Sequence, residues 1–157
     1  MINGIFTEIL VGLFALLMVY AAVRDVQTYL IRNRLSLAVA LLAPLYWWSS
    51  GLPLWPDAAI QAGIAAGLFA LLAVAFRFGV MGGGDVKLAT AAALWFSPMG
   101  TARFLVVMSI AGGIVTLVAA LNHKIRGKEG NPKIPYGVAI AIGALWNVAQ
   151  RFLNHFA

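Results

Sequence analysis

Cysteine is absent from the sequence, and histidine occurs only twice, at His123 and His155. The first absence excludes a disulfide framework, a thiol nucleophile and a cysteine zinc site, and the second leaves too few imidazoles, too far apart, for a histidine-based metal centre. Charge is scarce as well. Only 10% of the 157 residues are Asp, Glu, Lys or Arg, where soluble domains carry roughly a quarter. Neither a low-complexity segment nor a repeat of 20 to 50 residues is present. What fills the chain is apolar: 62% of it is hydrophobic, arranged in long runs of the kind that cross bilayers. A net charge of +6 invites a nucleic-acid reading, but the basic residues lie between apolar runs with no basic stripe on a soluble face, which is how membrane loops look. The partner expected from composition is a lipid bilayer, with no nucleic acid.

Apolar runs of about 20 residues place helices at roughly 4–23, 35–50, 58–78, 86–97, 102–122 and 135–152. The fold class expected is all-α, a polytopic membrane bundle of about six transmembrane helices with the fourth short, and residues 1–157 form a single membrane-embedded domain. The N-terminal run lacks the basic start and small-residue cleavage site of a removable signal peptide, so it is read as the first helix of the mature protein. The second run contains Pro44, and the fourth reaches only about 18 Å before "SPMG" interrupts it.

Nine of the eleven basic residues fall on one side of this arrangement: Arg24, Arg32, Arg34, Arg77, Lys87, Lys124, Arg126, Lys128 and Lys133, against Arg103 and Arg151 on the other. The positive-inside rule therefore predicts that the richer side is cytoplasmic and that both termini are outside. Trp47, Trp48 and Trp55 gather at the second-to-third turn, where an outer aromatic belt belongs.

Only five carboxylates exist: Glu8, Asp25, Asp57, Asp85 and Glu129. Asp57 reads as a helix N-cap and Glu129 as a solvated loop charge. Glu8, one or two turns into the first helix, is read either as snorkelling to the outer interface or as lining a cavity. Asp25 closes the first helix and Asp85 opens the fourth, so the topology puts both at the cytoplasmic rim. Singly, Asp25 can pair with Arg24, and Asp85 can cap its helix. Together, two carboxylates a few ångströms apart cannot both ionise at neutral pH; they share a proton and form a joint acid and base. That is the chemistry of aspartic proteolysis, with one member activating water and the other protonating the carbonyl oxygen and then the leaving amine. No metal and no cofactor is needed. Three glycines, Gly82, Gly83 and Gly84, stand just before Asp85, and the expectation is that they leave room for an extended substrate backbone.

"GGGDVKL" with an upstream aspartate resembles the GxGD aspartic membrane proteases, specifically the prepilin peptidases of type IV and Flp (Tad-type) pili. The GxGD motif maps to Gly82, Gly83, Gly84 and Asp85, followed by Val86, Lys87 and Leu88. "DVQTYLIRN" is similar to the family's first aspartate with its downstream I-P-N segment, giving Asp25, Ile31 and Asn33, with Arg32 where many relatives have proline. "KIPYGVAIAIG", 133 to 143, resembles the opening of the family's last helix. The resemblance implies a compact, peptidase-only form, since no cysteine-bearing insertion is present, and Arg24 in place of a tyrosine separates the chain from presenilin-like relatives. It also implies the substrate: a prepilin with a short basic leader, cut after a glycine just before its hydrophobic segment, in the bacterial inner membrane during pilus biogenesis. The catalytic pair is then Asp25 and Asp85. Lys87 either orients Asp85 or the substrate, or anchors at the interface. Asn33 either bonds the catalytic loop or makes a turn. Pro135, Tyr136 and Gly137 shape the start of the sixth helix. The rival readings are a small proton- or cation-coupled transporter using the same acids, and a non-catalytic assembly subunit; neither repeat symmetry nor midplane polar groups favour the transporter. Nothing in the sequence sets the oligomeric state.

Overall fold

The structure, a computed structural model, describes residues 2–127, 130 and 132–156. Glu129, read above as a solvated loop charge, lies outside them. The described residues form six α-helices: α1 Ile2–Thr28, α2 Asn33–Ser49, α3 Ala59–Arg77, α4 Gly83–Ala93, α5 Pro98–Ile125 and α6 Tyr136–Phe156. Strands are absent among the described residues. The all-helical bundle expected from the apolar runs is therefore the fold.

Three helical stretches are long and apolar enough to cross a membrane, Gly4–Thr28, Leu54–Arg77 and Pro98–Ile125. Their outward faces are as apolar as their inward ones. On α5, Phe104, Met108 and Ala111 are buried while Val106, Ile110, Ile114 and Leu117 are exposed. A helix with this distribution is stable only where its outer face meets hydrocarbon.

The helix ends are set by local chemistry. α3 stops in a Schellman motif: Gly79 at φ +70° donates to Phe76 O, and Val80 donates to Ala75 O, satisfying carbonyls the helix leaves unpaired. α1 stops without glycine. Tyr29 takes φ +52° and its N–H donates to Asp25 O at 2.7 Å, a left-handed cap that costs a non-glycine residue about 1–2 kcal/mol. α5 begins at Pro98, earlier than the apolar run suggests, because Ser97 caps it by accepting from Gly100 N and proline suits the first turn.

Two expectations are corrected. Asp57 is not an N-cap; it is exposed in a π-helical turn, Leu54–Ala58, that precedes α3 and whose flanking residues make no side-chain cap bond. Trp47 does not join an aromatic belt: its indole turns inward and donates to Leu94 O at 2.8 Å, satisfying a carbonyl at the C-terminal end of α4. Trp48 and Trp55 remain exposed.

α4 is the pivot. Its 11 residues span only about 16 Å, and it packs against α2, α3 and α6, while α6 also packs against α1 and α5. Leu88, Ala89, Ala92 and Ala93 are fully buried, so α4 is enclosed by its neighbours at close range. Past its C-terminal end lies an aromatic cluster, with Phe14 stacked on Trp95 at 4.5 Å and Tyr46 on Trp95 at 5.0 Å. At its N-terminal end the two aspartates sit.

Candidate active site

Asp25 occupies the last turn of α1 and is 4% exposed; Asp85 occupies the first turn of α4 and is 9% exposed. Buried carboxylates are rare unless paired or functional. Neither has a cation for a partner: among the described residues the ion pair is Glu8–Arg151, at 2.7 Å, so the pairing of Asp25 with Arg24 does not form. Each aspartate lies instead against the backbone of a glycine. Gly137 N donates to Asp25 Oδ2 at 2.6 Å. Gly137 is the second residue of α6, whose first N–H groups have no intrahelical acceptor, so the start of one helix supplies the donor for the end of another. The side chain of Asp85 turns to the backbone of Gly82.

That second contact corrects the reading of Asp85 as a cap. The N-cap is Gly82, with φ −73° and ψ 147°, and Asp85 stands three residues later, its side chain turned back toward the cap residue. Its other oxygen, Oδ1, is buried and has no hydrogen-bond partner. The two side chains are near enough that the charge of Asp25 acts on Asp85.

The glycines are not open space. A Cβ on Gly84 would stand 2.8 Å from Ile31 O, one on Gly83 would meet the Phe76 ring at 3.3 Å, and one on Gly82 would lie 2.7 Å from Asp85 Oδ2. A side chain at any of the three would meet the chain itself, and Gly83 and Gly84 belong to α4. Ile31 ties the site together: buried in the loop after α1, it lies against Gly84 through its carbonyl and against Gly137 through Cδ1, where a Cβ would stand 2.8 Å away. Its position in the aspartate-to-asparagine segment was visible in the sequence, but its packing role was not.

The other predicted residues fall outside this contact set. Lys87 Nζ donates to Asn33 Oδ1 at 3.0 Å, joining the first turns of α4 and α2. Both residues are exposed, and Lys87 lies two positions from Asp85, about 200° around the helix, so it does not touch the carboxylate. Pro135 precedes α6, its carbonyl accepting from Val138 N, and the Tyr136 ring lies 3.5 Å from where a Cβ on Gly112 of α5 would stand. Both stand at the start of α6. Arg32 has φ −72°, the angle proline would impose. Glu8 meets Arg151 and lies at the opposite end of the bundle. Among the described residues no group of three or more His, Cys, Asp or Glu side chains gathers as a metal site would require.

No curated protein and no solved structure matches the chain significantly. Residues 12–117 match the model of the type IV leader peptidase family, a stretch that runs from α1 into α5 and contains Asp25, the three glycines and Asp85, while Gly137 lies beyond it. Together with an all-helical, membrane-type fold, that match shows that the chain belongs to the type IV leader peptidase family.

Proposed function

We propose that the chain is an aspartic endopeptidase that removes the basic leader from prepilins at the cytoplasmic face of the inner membrane, with Asp25 and Asp85 as its catalytic pair. The observation that carries this reading is the convergence of two buried carboxylates from positions 25 and 85, Asp25 fixed through one oxygen by the N–H of Gly137 and Asp85 turned to the backbone of Gly82 with Oδ1 left free. A carboxylate whose orientation is fixed on one side and unpartnered on the other is pre-organised for proton transfer.

Two carboxylates in electrostatic contact hold one proton between them at little cost and two charges only at high cost. In the proposed reaction the ionised member takes a proton from water as the water oxygen attacks the scissile carbonyl. The protonated member gives its proton to the carbonyl oxygen. Collapse of the tetrahedral intermediate breaks the C–N bond: the proton gained from water passes to the leaving amine, and the carboxylate that gave its proton takes one back from the hydroxyl as the carbonyl re-forms. Gly137 N–H keeps Asp25 Oδ2 in place while this happens. A prepilin fits the location. Its hydrophobic segment would lie in the bilayer beside the bundle, its basic leader would project from the membrane, and the bond between them would reach the rim where α1 ends and α4 and α6 begin.

The test is co-expression with a candidate prepilin, comparing wild type with Asp25→Asn and Asp85→Asn. Wild type is expected to remove the leader, and each variant to lose roughly 10²–10⁴-fold or more in cleavage rate, the range for loss of a general acid or base. Full processing by either variant would remove that residue from the mechanism.

A further inference from the structure

At the end of the bundle opposite the aspartates, where α4 stops short, there is a cavity of about 390 Å³ between α1, α2, α3, α5 and α6. This is within the roughly 300–1,000 Å³ of small-molecule sites. Phe14 and Trp95 form an aromatic floor, and Arg151, Tyr46, Gln61 and Asn147 supply polar groups. Gln61 is 7% exposed and its Oε1 has no hydrogen-bond partner. An unpaired amide within a membrane-spanning stretch is costly, because hydrocarbon offers nothing in place of water. Arg151 stands at the mouth, where the cavity adjoins a wider surface groove lined by Glu8, Ile5 and Ser49. Its guanidinium donates to Glu8 Oε1 at 2.7 Å and to Tyr46 OH at 2.8 Å, two of its five N–H donors. The first turn of α5 begins at the cavity wall, with Ser97 and Gly100 both lining it, adding the positive end of a helix dipole.

We propose that this cavity is a phospholipid headgroup site. The phosphodiester would accept from Arg151, a hydrogen-bond donor on the headgroup, an ethanolamine amine or a glycerol hydroxyl, would reach Gln61 Oε1, and the acyl chains would leave through the wider groove. The chemistry required is specific: an anion for Arg151 and a donor for an amide oxygen that has none. Phosphocholine has the first and lacks the second. The site is separate from the aspartate pair and stands whether or not that pair cleaves prepilin.

The experiment is native mass spectrometry of the full chain released from bilayers containing equal parts phosphatidylethanolamine, phosphatidylglycerol and phosphatidylcholine. Wild type is expected to retain one lipid per chain, with the ethanolamine or glycerol headgroup enriched over choline by roughly three- to tenfold, the factor one hydrogen bond supplies. The ratio of the first two headgroups shows whether an amine or a hydroxyl fills the site. Gln61→Leu is expected to abolish the enrichment, and Arg151→Gln to lose retention of every headgroup. Helical circular dichroism checks that the variants fold, and the wild-type discrimination stands as a test if they do not. Equal retention of choline lipid, unchanged enrichment in Gln61→Leu, or a chain that emerges with no bound lipid, its cavity holding only water, would each overturn the proposal.

Discussion

The side chain of Asp25 is positioned by residues that carry no reactive group. Gly137 gives it a backbone donor at 2.6 Å, and a Cβ on Gly137 would come within 2.8 Å of both Asp25 Oδ2 and Ile31 Cδ1. Gly137→Ala is therefore expected to push the carboxylate aside and lower prepilin cleavage by about 10²-fold, the loss that misplacing a reacting group by an ångström can bring, while the helices remain folded. Gly63→Ala is the control, since a Cβ there meets nothing within 4 Å; cleavage by that variant should match wild type. Equal activity of Gly137→Ala and wild type would show that the α6 donor does not position Asp25. Arg32 gives the opposite kind of prediction. With φ −72° it already has proline's backbone, and its N–H donates no backbone bond among the described residues. Arg32→Pro should keep cleavage intact and stabilise the chain by about 0.4–1 kcal/mol through the unfolded state, read as a raised thermal midpoint in detergent.

Between helices, contact is set by where side chains are missing. α6 packs tightly on α5 at Gly143, where a Cβ would lie 2.9 Å from Phe104 O and 3.0 Å from Phe104 Cδ2. Because the first neighbour is backbone, the clash cannot be relieved by a rotamer change. Small residues at such crossings are the usual basis of helix association in membranes. Gly143→Ala is expected to cost about 1–3 kcal/mol by overpacking, seen as a lower unfolding midpoint, whereas Gly113→Ala on α5, with nothing within 4 Å, should not. An unchanged midpoint for Gly143→Ala would mean that the two helices can separate freely there.

The same distinction explains what could be read from the sequence. Six helices were legible because an apolar run has a length, and length alone decides whether it spans. Asp25 and Asp85 were legible because a carboxylate among apolar residues demands a reason. Gly137 as a donor was not, since its N–H meets Asp25 only when α6 packs on α1 across 112 positions of sequence. The packing of Ile31, Phe76 and Asp85 around the three motif glycines was not legible either, because crowding of that kind is tertiary. Tyr29 was invisible as a helix stop because left-handed caps are ordinarily signalled by glycine or asparagine.

On the scale of the whole molecule, one axis separates two chemistries. α1 ends, and α4 and α6 begin, around the buried aspartates; at the other end the charge pair of Glu8 and Arg151 is partly exposed beside the aromatic cluster. Among the described residues Arg24, Arg32, Arg34, Arg77, Lys87, Lys124, Arg126 and Lys133 lie at or next to the aspartate end and Arg103 and Arg151 at the other, and such an imbalance predicts that the basic side is retained in the cytoplasm. A basic leader must be cut on the side where it is held back, so orientation and proposed function stand together. The absence of cysteine makes this directly measurable, because a single introduced thiol is the only one that can be labelled. Asp57 and Lys124 are both exposed and lie at opposite ends. In intact cells a membrane-impermeant maleimide is expected to label Asp57→Cys, and to label Lys124→Cys only after permeabilisation. The reverse pattern would place the aspartates on the outer face, away from any leader retained in the cytoplasm, and the prepilin reading would fall even if both carboxylates proved essential for some other activity.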